Sequence, residues 1–317
     1  MSTKPDCSLV VVTPVYEDSE ASSRLFLELA AVFGRQVYVV AVDDGSVRHP
    51  VLVASIADAG LDGVVIRLKR NVGHQRAIAI GLNYVAEHHG DARRIVVMDS
   101  DGEDTPLSIK ELAQPLESAE VDVVVAQRKS RIETLRFRTF YLGYKWLFKL
   151  LTGRTINFGN FMAMKPAALA RLATMQELWI HVAGCVLTSK LRITTRPLDR
   201  GPRYAGQSQM NFVGLVLHGF KALMVFAEDV LVRVGIACAI IAVLSVVGVA
   251  AAIVLKLLGF ATPGWFSVAL GIMLLVFMQT GTLTLMTLML TGVVRSGSVV
   301  TISYRDFIDT VLHARAD

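Results

Sequence analysis

Four acidic residues follow a short apolar run in the first half of the chain. Residues 95–98 are apolar, and Asp99, Asp101, Glu103 and Asp104 come after them. Such a run is typical of a buried strand, which delivers the carboxylates to its carboxyl end. Because hard cations such as Mg²⁺ prefer oxygen ligands, the cluster predicts a divalent metal site. The alternative is a loop that caps the next helix through Asp104 or Thr105, but that role leaves Asp99 and Asp101 unexplained.

Two earlier polar segments also follow apolar runs, at residues 13–17 and 43–46. An Asp-Asp-Gly turn alone is a weak signal, because many tight turns use these residues. Together with residues 99–101, however, the segments predict a nucleotide-diphosphate site, in which the carboxylates after the second strand contact base or ribose.

The phosphate loops of two rival nucleotide-binding classes are missing from the sequence. No Gly-x-Gly-x-x-Gly follows the first strand, and no Gly-x-x-x-x-Gly-Lys-Ser/Thr occurs anywhere. The sequence therefore argues against a dinucleotide dehydrogenase and against a P-loop enzyme.

Apolar β-branched runs alternate with helical patterns up to residue 126. This alternation predicts an α/β domain with a mostly parallel sheet that helices cover on both faces. Ligands of such sheets bind at the carboxyl ends of the strands. The predicted strands are residues 9–13, 37–42, 64–68, 95–98 and 121–126, and the predicted helices are residues 19–33, 50–59, 75–88 and 106–118.

Two long segments near the C-terminus carry almost no charge. Residues 234–258 contain only Lys256, residues 265–294 contain no charged residue, and each segment is long enough to cross a bilayer. Lys and Arg flank the pair on both sides but are missing from the connector at residues 259–264, which predicts that both termini are cytoplasmic. The helix predicted over residues 211–233 fits the membrane interface, with an ordinary core helix as the alternative.

The chain carries 32 Lys and Arg against 27 Asp and Glu, a formal net charge of +5. This balance favours an anionic membrane surface or phosphorylated ligands, and the two spans argue against nucleic acid. Its cysteines, Cys7, Cys185 and Cys238, have no metal-binding or redox spacing and are predicted to be reduced.

Four motifs, at residues 14–17, 43–46, 71–77 and 99–101, resemble those of family 2 glycosyltransferases with the Rossmann-like GT-A fold. The two C-terminal spans make the chain most similar to the polyprenyl-phosphate glycosyltransferases, the group of dolichol-phosphate mannose synthase and bactoprenol glucosyltransferase. The predicted organisation is a cytoplasmic GT-A domain (residues 1–210), an interfacial helix (211–233), a transmembrane hairpin (234–294) and a cytoplasmic tail (295–317).

The resemblance implies roles for the acidic residues. Asp44 would bind the nucleotide base and ribose of the donor, with Pro14, Tyr16, Glu17 and Ser100 contributing to the donor site. Asp99 and Asp101 would be the Asp-x-Asp pair that holds Mg²⁺ or Mn²⁺. Glu103 would be a third metal ligand, at a position where the group commonly has a metal-binding Gln.

The resemblance also implies phosphate-binding arginines. Arg128 follows the fifth strand, and Arg136 or Arg138 would be a second phosphate contact. Arg203 opens a segment, ending at Ser208, that resembles an Arg-x-x-Gly-x-Ser loop closing over donor and acceptor, although Gln209 stands where a Lys is frequent. The predicted catalytic residues are Asp99, Asp101, Arg128 and Arg203, and the predicted contacts to the acceptor phosphate are Arg128, Arg136, Arg138, Arg203 and Ser208.

The predicted activity is transfer of one sugar from a nucleoside-diphosphate sugar to a polyprenyl phosphate, undecaprenyl or dolichyl. The enzyme would be metal-dependent and inverting, and integral to a membrane of the bacterial inner type, in contact with its lipids. The alternatives are a membrane-anchored transferase acting on a glycan or another lipid, and a non-catalytic module that binds sugar nucleotides. A face of threonines at residues 280, 284, 287 and 291 fits either a homo-oligomer or packing inside the hairpin.

Overall fold

The computed structural model describes residues 8–128, 135–156, 158–204, 212–260, 264–296 and 303–316. The chain divides into two compact units. The first unit comprises the described parts of Met1–Phe137, Ile156–Val225 and Thr301–Asp317, and the second comprises those of Arg138–Thr155 and Phe226–Val300.

The strands of the first unit form one eight-stranded sheet among the described residues. They are β1 (Leu9–Val15), β2 (Val37–Asp43), β3 (Asp62–Leu68), β4 (Arg94–Val97), β5 (Val123–Arg128), β6 (Met162–Met164), β7 (Ile193–Leu198) and β8 (Ile308–Ala314). Their order is β7-β5-β6-β4-β1-β2-β3-β8. Strand β6 is antiparallel to β4 and β5, and β8 to β3, while the other four pairs are parallel. The predicted mostly parallel sheet is confirmed.

Ten α-helices accompany the strands in the described chain. They are α1 (Ser19–Phe33), α2 (Val53–Asp58), α3 (His74–His88), α4 (Ser108–Ala113), α5 (Leu135–Thr152), α6 (Pro166–Ala173), α7 (Val182–Thr188), α8 (Phe212–Val225), α9 (Ala227–Leu257) and α10 (Trp265–Ser296). Short 3-10 helices lie at Gly34–Gln36, Gln114–Glu117, Gln176–Trp179 and Tyr304–Phe307.

Valine-rich strands build a core on each face of the sheet. Val10 and Val12 of β1 join the core that contains residues of α3, α6 and α7. Val11, which points to the other face, joins the core with α1, α2 and α4. Burial on both faces explains why β1 and β2 are continuous apolar runs, as is typical of parallel strands.

The elements predicted up to residue 126 agree with the structure to within a few residues, with one shortened helix. Helix α1 has the predicted bounds, and its N-cap Asp18 accepts a hydrogen bond from the Ala21 amide at 3.2 Å. The helix predicted over residues 106–118 ends as an α-helix at Ala113 and continues as the 3-10 helix Gln114–Glu117. Pro115 explains the change, because it has no amide hydrogen to donate to the preceding turn.

Strand β8 was not predicted, since residues 295–317 were expected to form a tail. It pairs with β3 and so covers that edge of the sheet. The Lys69 amide donates to the Phe307 carbonyl at 3.0 Å, and the Phe307 ring lies 5.9 Å from that of Trp179. The side chains of Tyr304 and Arg305 both contact Glu87 of α3. The segment after α10 is therefore part of the α/β domain.

The second unit contains two helices that are long and apolar enough to cross a membrane. These are Ala227–Leu257 and Trp265–Val293, of 31 and 29 residues. The helix expected over residues 211–233 is interrupted at Phe226, whose backbone is not helical (φ −106°, ψ 24°). The residues after Phe226 belong to α9, so the first span begins earlier than predicted. Phe226 is buried, and its ring packs edge-on against Phe148 with 5.7 Å between centroids. On the predicted threonine face, Thr287 is buried against Gly235 of α9, as expected for packing inside the hairpin.

The turn after β2 lies against the chain that leaves β3. Gly45 has a φ of +72°, and a Cβ at this position would lie 2.5 Å from the Arg70 carbonyl carbon and 2.6 Å from the Asn71 nitrogen. Because both of these are backbone atoms, they cannot move aside as a side-chain tip can. Only glycine permits this approach, which joins the end of β2, next to Asp44, to the motif at residues 71–77 that follows β3.

We expect Gly45→Ala to destabilise the fold more than Gly73→Ala. Gly73 also has a positive φ of +91°, but a Cβ there would meet nothing within 4 Å. Gly73→Ala should cost about 1–3 kcal/mol of unfolding free energy, because its φ of +91° with a ψ of 148° is a backbone conformation that few residues besides glycine adopt. Gly45→Ala adds a clash with backbone atoms to its own positive φ, and this clash should cost about 1–3 kcal/mol more. Urea unfolding of the full chain in detergent measures both, and equal losses would contradict the packing described.

We also expect truncation of the Leu312 side chain in β8 to destabilise the α/β domain. Leu312 is partly buried and packs against the core formed with α1 and α2. Leu312→Ala should cost about 1–2 kcal/mol, while Asp309→Ala, at an exposed position of the same strand, should cost less than about 0.5 kcal/mol. The same unfolding measurement tests this, and two equally neutral variants would show that β8 is dispensable.

Candidate functional site

The strand order brings three of the predicted polar segments to one edge. β1 lies between β2 and β4, and Val15 at the end of β1 pairs with Asp43 at the end of β2. The segments after these three strands therefore meet at the carboxyl edge of the sheet, where the sequence predicts the site.

The two aspartates after β2 hold neighbouring loops in place. Both are almost fully buried. Asp43 accepts hydrogen bonds from the amides of Ser46 and Val51, each at 2.9 Å. Asp44 accepts from the amides of Val72 and Gly73 at 2.7 and 3.0 Å, which ties β2 to the start of α3. Desolvation raises the pKa of Asp44 above its ordinary value, although these two amides act in the opposite direction.

Glu17 shapes the loop at the outer edge of the site. Its carboxylate accepts hydrogen bonds from the amides of Val47, Arg48 and His49, at 2.8 to 3.2 Å. These amides, that of Val47 above all, lower the pKa of Glu17 and keep it ionised. Its neighbour Tyr16 is 46% exposed and can meet a ligand, whereas Pro14 is buried inside β1.

Asp99, two residues after the end of β4, lies beside the first residue of α3. Its Oδ1 is 3.2 Å from Nε2 of His74, and its amide donates to Asp104 at 3.1 Å. The same His74 nitrogen is 3.1 Å from the side-chain nitrogen of Asn160. Desolvation lowers the pKa of His74, but the nearby carboxylates of Asp99, Asp44 and Asp101 outweigh it and raise that pKa overall. Ser100, the next residue along the chain, is buried.

Arginines from the segment after β7 contact the other two predicted metal ligands. Nη2 of Arg203 lies 2.9 Å from Oδ2 of Asp101, and Nε of Arg203 lies 2.9 Å from Oε1 of Glu103. Arg200 forms an ion pair with the second oxygen of Glu103. Desolvation and the charge of Asp99 raise the pKa of Asp101, and Arg203 only partly offsets them.

The donor set at this edge fits a divalent cation held by few protein ligands. Within the described residues, no group of three His, Cys, Asp or Glu side chains is arranged to hold a metal. Asp99 and Asp101, however, are close enough that the charge of one raises the pKa of the other. Mg²⁺ is commonly bound by one or two carboxylates, with waters and substrate phosphates completing its shell. Asp99 and Asp101 suit that arrangement, since only one oxygen of Asp101 contacts an arginine. Glu103 differs, because both of its carboxylate oxygens contact arginines.

Four predicted phosphate contacts have no described side chain. Arg128 ends β5, and Arg136 and Arg138 lie in the first turns of α5. Ser208 lies outside the described residues, as do residues 129–134 and 205–211. The roles of these four residues remain predictions.

The structure adds three residues for which the sequence predicted no role. They are His74, Asn160 and Arg200, which lie beside Asp99 or Glu103. His74 stands in one of the motifs described above, but Asn160 is 86 positions further along the chain. No local pattern connects residues so far apart, and only the fold brings them together.

Residues 10–179 match the profile of glycosyl transferase family 2. Uncharacterized glycosyltransferase YkoT of Bacillus subtilis (strain 168) is 26% identical over 278 residues, which cover 83% of this chain and 81% of YkoT. Dodecaprenyl-phosphate galacturonate synthase of Rhizobium johnstonii is 28% identical over 152 residues, or 46% of this chain and 42% of that enzyme.

The fold is similar to that of glucosyl-3-phosphoglycerate synthase from Mycobacterium tuberculosis, crystallised with Mn²⁺, uridine diphosphate and phosphoglyceric acid. The TM-score is 0.52 at 15% identity, and the match covers 71% of this chain and 78% of that one. Another structure of that enzyme contains Mg²⁺ and uridine diphosphate. This likeness confirms the predicted Rossmann-like GT-A fold. Since the family match spans more than half of the sequence, the chain belongs to glycosyl transferase family 2.

Proposed function

We propose that this glycosyltransferase moves one sugar from a nucleoside diphosphate to a polyprenyl phosphate at the cytoplasmic face of a membrane, with Mg²⁺ or Mn²⁺. The observation that carries the proposal is the meeting of Asp99 and Asp101 with Arg203 at the edge of the sheet. A site that pairs carboxylates with a guanidinium suits a metal-bound diphosphate, since it offers ligands for the cation and donors for the anion. The relative named as a dodecaprenyl-phosphate galacturonate synthase supports the lipid acceptor.

Asp99 and Asp101 would hold the metal, which when bound neutralises charge on the donor diphosphate. The protein adds positive potential of its own. The guanidinium groups of Arg200 and Arg203 lie beside Asp101 and Glu103. Helix α3 begins at His74, whose side chain lies beside Asp99, so the dipole of the helix favours negative charge near this edge. These groups stabilise the diphosphate as it departs.

The acceptor needs no general base in this proposal. The second ionisation of a phosphate monoester has a pKa of about 6, so a lipid phosphate is mostly an anionic nucleophile at neutral pH. The task of the protein is to bring two anions together. The predicted contacts to the acceptor phosphate are Arg128, Arg136, Arg138, Arg203 and Ser208. A single displacement by the lipid phosphate, opposite the departing diphosphate, inverts the anomeric centre.

The sheet supports a hairpin topology for the two apolar helices. The chain before α9 forms β1 to β7, and the chain after α10 returns as β8 to pair with β3. Because one sheet cannot lie on both sides of a bilayer, both ends of the hairpin are on the same side of any membrane that α9 and α10 cross. Together with Lys221, Arg233 and Arg305 near these ends, this favours the cytoplasmic side for the α/β domain and both termini.

The full chain in detergent, given undecaprenyl phosphate, Mn²⁺ and a panel of UDP- and GDP-sugars, should form a charged glycolipid with one of the donors. EDTA should abolish the product, and excess Mn²⁺ should restore it. Asp101→Asn should slow transfer by about 100-fold, because it removes charge at the metal and diphosphate. Asp58→Asn, at an exposed position in α2, is the control and should retain full activity. No glycolipid from any donor, or full activity of Asp101→Asn, would refute the proposal.

The connector between the two spans should lie outside the cytoplasm. We expect alkaline phosphatase inserted after Gly259 to be active in bacterial cells, because it folds only outside the cytoplasm. Green fluorescent protein fused after Asp317 should fluoresce, because that end remains inside. A fluorescent fusion together with an inactive phosphatase insertion would contradict two membrane crossings. A dark fusion at Asp317 together with an inactive phosphatase at Gly259 would place the connector inside and the C-terminal end outside, and so would contradict the orientation.

A further inference from the structure

Two segments of backbone meet beside the predicted metal ligands. The Gly201 amide donates to the Glu103 carbonyl at 3.0 Å, and the Tyr204 amide donates to the Asp101 carbonyl at 2.9 Å. The Tyr204 ring packs directly over Gly102, and its hydroxyl donates to Glu28 of α1 at 2.6 Å. The segment of residues 199–204, which we call the arginine loop, is thus attached to the acidic loop at residues 101–105 by its main chain.

Within this contact Glu103 has both carboxylate oxygens engaged by arginine. Oε1 accepts from Nε of Arg203 at 2.9 Å, and Oε2 pairs with Nη1 of Arg200. The Glu103 side chain is only 19% exposed. A second nitrogen of Arg203, Nη2, contacts Asp101. The carboxylate that the family resemblance assigns to the metal is therefore occupied by two guanidinium groups.

The negative charge of Glu103 is what this arrangement requires. A carboxylate has two acceptor oxygens, so it can receive one arginine on each. A glutamine amide has one acceptor oxygen and an NH₂ group, which would face a guanidinium donor and repel it. Hydrogen bonds between two ionised groups are also stronger than neutral ones. Because the two arginines face different oxygens of Glu103, a glutamine in the same place could accept from only one of them.

We propose that Glu103 is a positioning residue for Arg200 and Arg203 and not a metal ligand. It holds both guanidinium groups beside Asp101, where the diphosphate of the donor and its metal would meet. Arg200 then becomes a second cation for the diphosphate, placed by Glu103. This role rests on the proposed function, because it takes a nucleoside diphosphate as the ligand of the site.

Two binding measurements on the full chain in detergent separate the two roles of Glu103. The first is Mn²⁺ affinity without nucleotide, followed by electron paramagnetic resonance of the free ion. The second is the affinity for UDP and GDP at saturating Mn²⁺, by calorimetry. A metal ligand matters in the first measurement, whereas a residue that positions arginines for the diphosphate matters only in the second.

Glu103→Gln should leave the Mn²⁺ affinity within about twofold of wild type and weaken the better nucleotide by about 10-fold, as expected for lost charge-assisted hydrogen bonds. Arg200→Gln should lower the nucleotide affinity by a similar factor. The double variant should bind nucleotide no more weakly than Glu103→Gln alone, because both changes remove the same arrangement. Asp101→Asn should lower the Mn²⁺ affinity itself by at least about 10-fold, because it removes the charge of a metal ligand.

Glu117→Gln is the matched control, because Glu117 also pairs with an arginine, Arg94, at 3.1 Å. It should change neither affinity. Arg200 is 31% exposed, so Arg200→Gln is expected to fold and keeps the test decisive even if a Glu103 variant is unstable.

A loss of Mn²⁺ affinity in Glu103→Gln as large as that in Asp101→Asn would overturn the positioning role and make Glu103 a metal ligand. Additive losses in the double variant, or full nucleotide affinity in Arg200→Gln, would overturn it as well. A wild-type chain that binds neither Mn²⁺ nor nucleotide would instead refute the proposed function, and this role with it.

Discussion

Repulsion between carboxylates at one edge of the sheet is the constraint on which the site depends. Asp99 and Asp101 follow the same strand, and both desolvation and the charge of Asp99 make the ionised form of Asp101 less favourable. Glu103 adds a third negative charge in the same loop. Arg200 and Arg203 offset this charge, and the imidazole of His74 lies 3.2 Å from Asp99. A divalent cation would offset it further, which is the physical basis for a metal at this edge.

Acidic residues elsewhere at the edge have a different task. Glu17, Asp43 and Asp44 direct their carboxylates at backbone amides of neighbouring loops. Asp43 fixes the turn that follows its own strand, whereas Glu17 and Asp44 each join two segments that are distant in the sequence. Asp44 has the largest consequence for the site, because it fixes the residues just before α3 and so the place of His74. The acidic composition of the strand ends thus serves both ligand chemistry and loop structure.

The return of the chain as β8 links the membrane hairpin to the α/β domain. An edge strand such as β3 would otherwise offer unpaired amides and carbonyls to other chains. Strand β8 pairs with it, and the contacts of Tyr304 and Arg305 with Glu87 tie this segment to α3. Helix α3 therefore has a contact at each end. Its first residue, His74, lies in the candidate site, and Glu87, near its last turn, contacts the segment that follows the hairpin.

Local patterns in the sequence determined much of this protein. Valine-rich runs and helical periodicity were sufficient to predict the strands and helices up to residue 126, and the long apolar segments predicted two spans. The acidic strand ends indicated where the site lies, because parallel strands present their carboxyl ends at one edge. The short strand β6, the return of β8 and the break at Phe226 were missed, since each depends on packing or pairing with distant residues. Only the tertiary structure decided that Glu103 meets arginines 97 and 100 positions away, because contacts over such separations leave no periodic signal in the sequence.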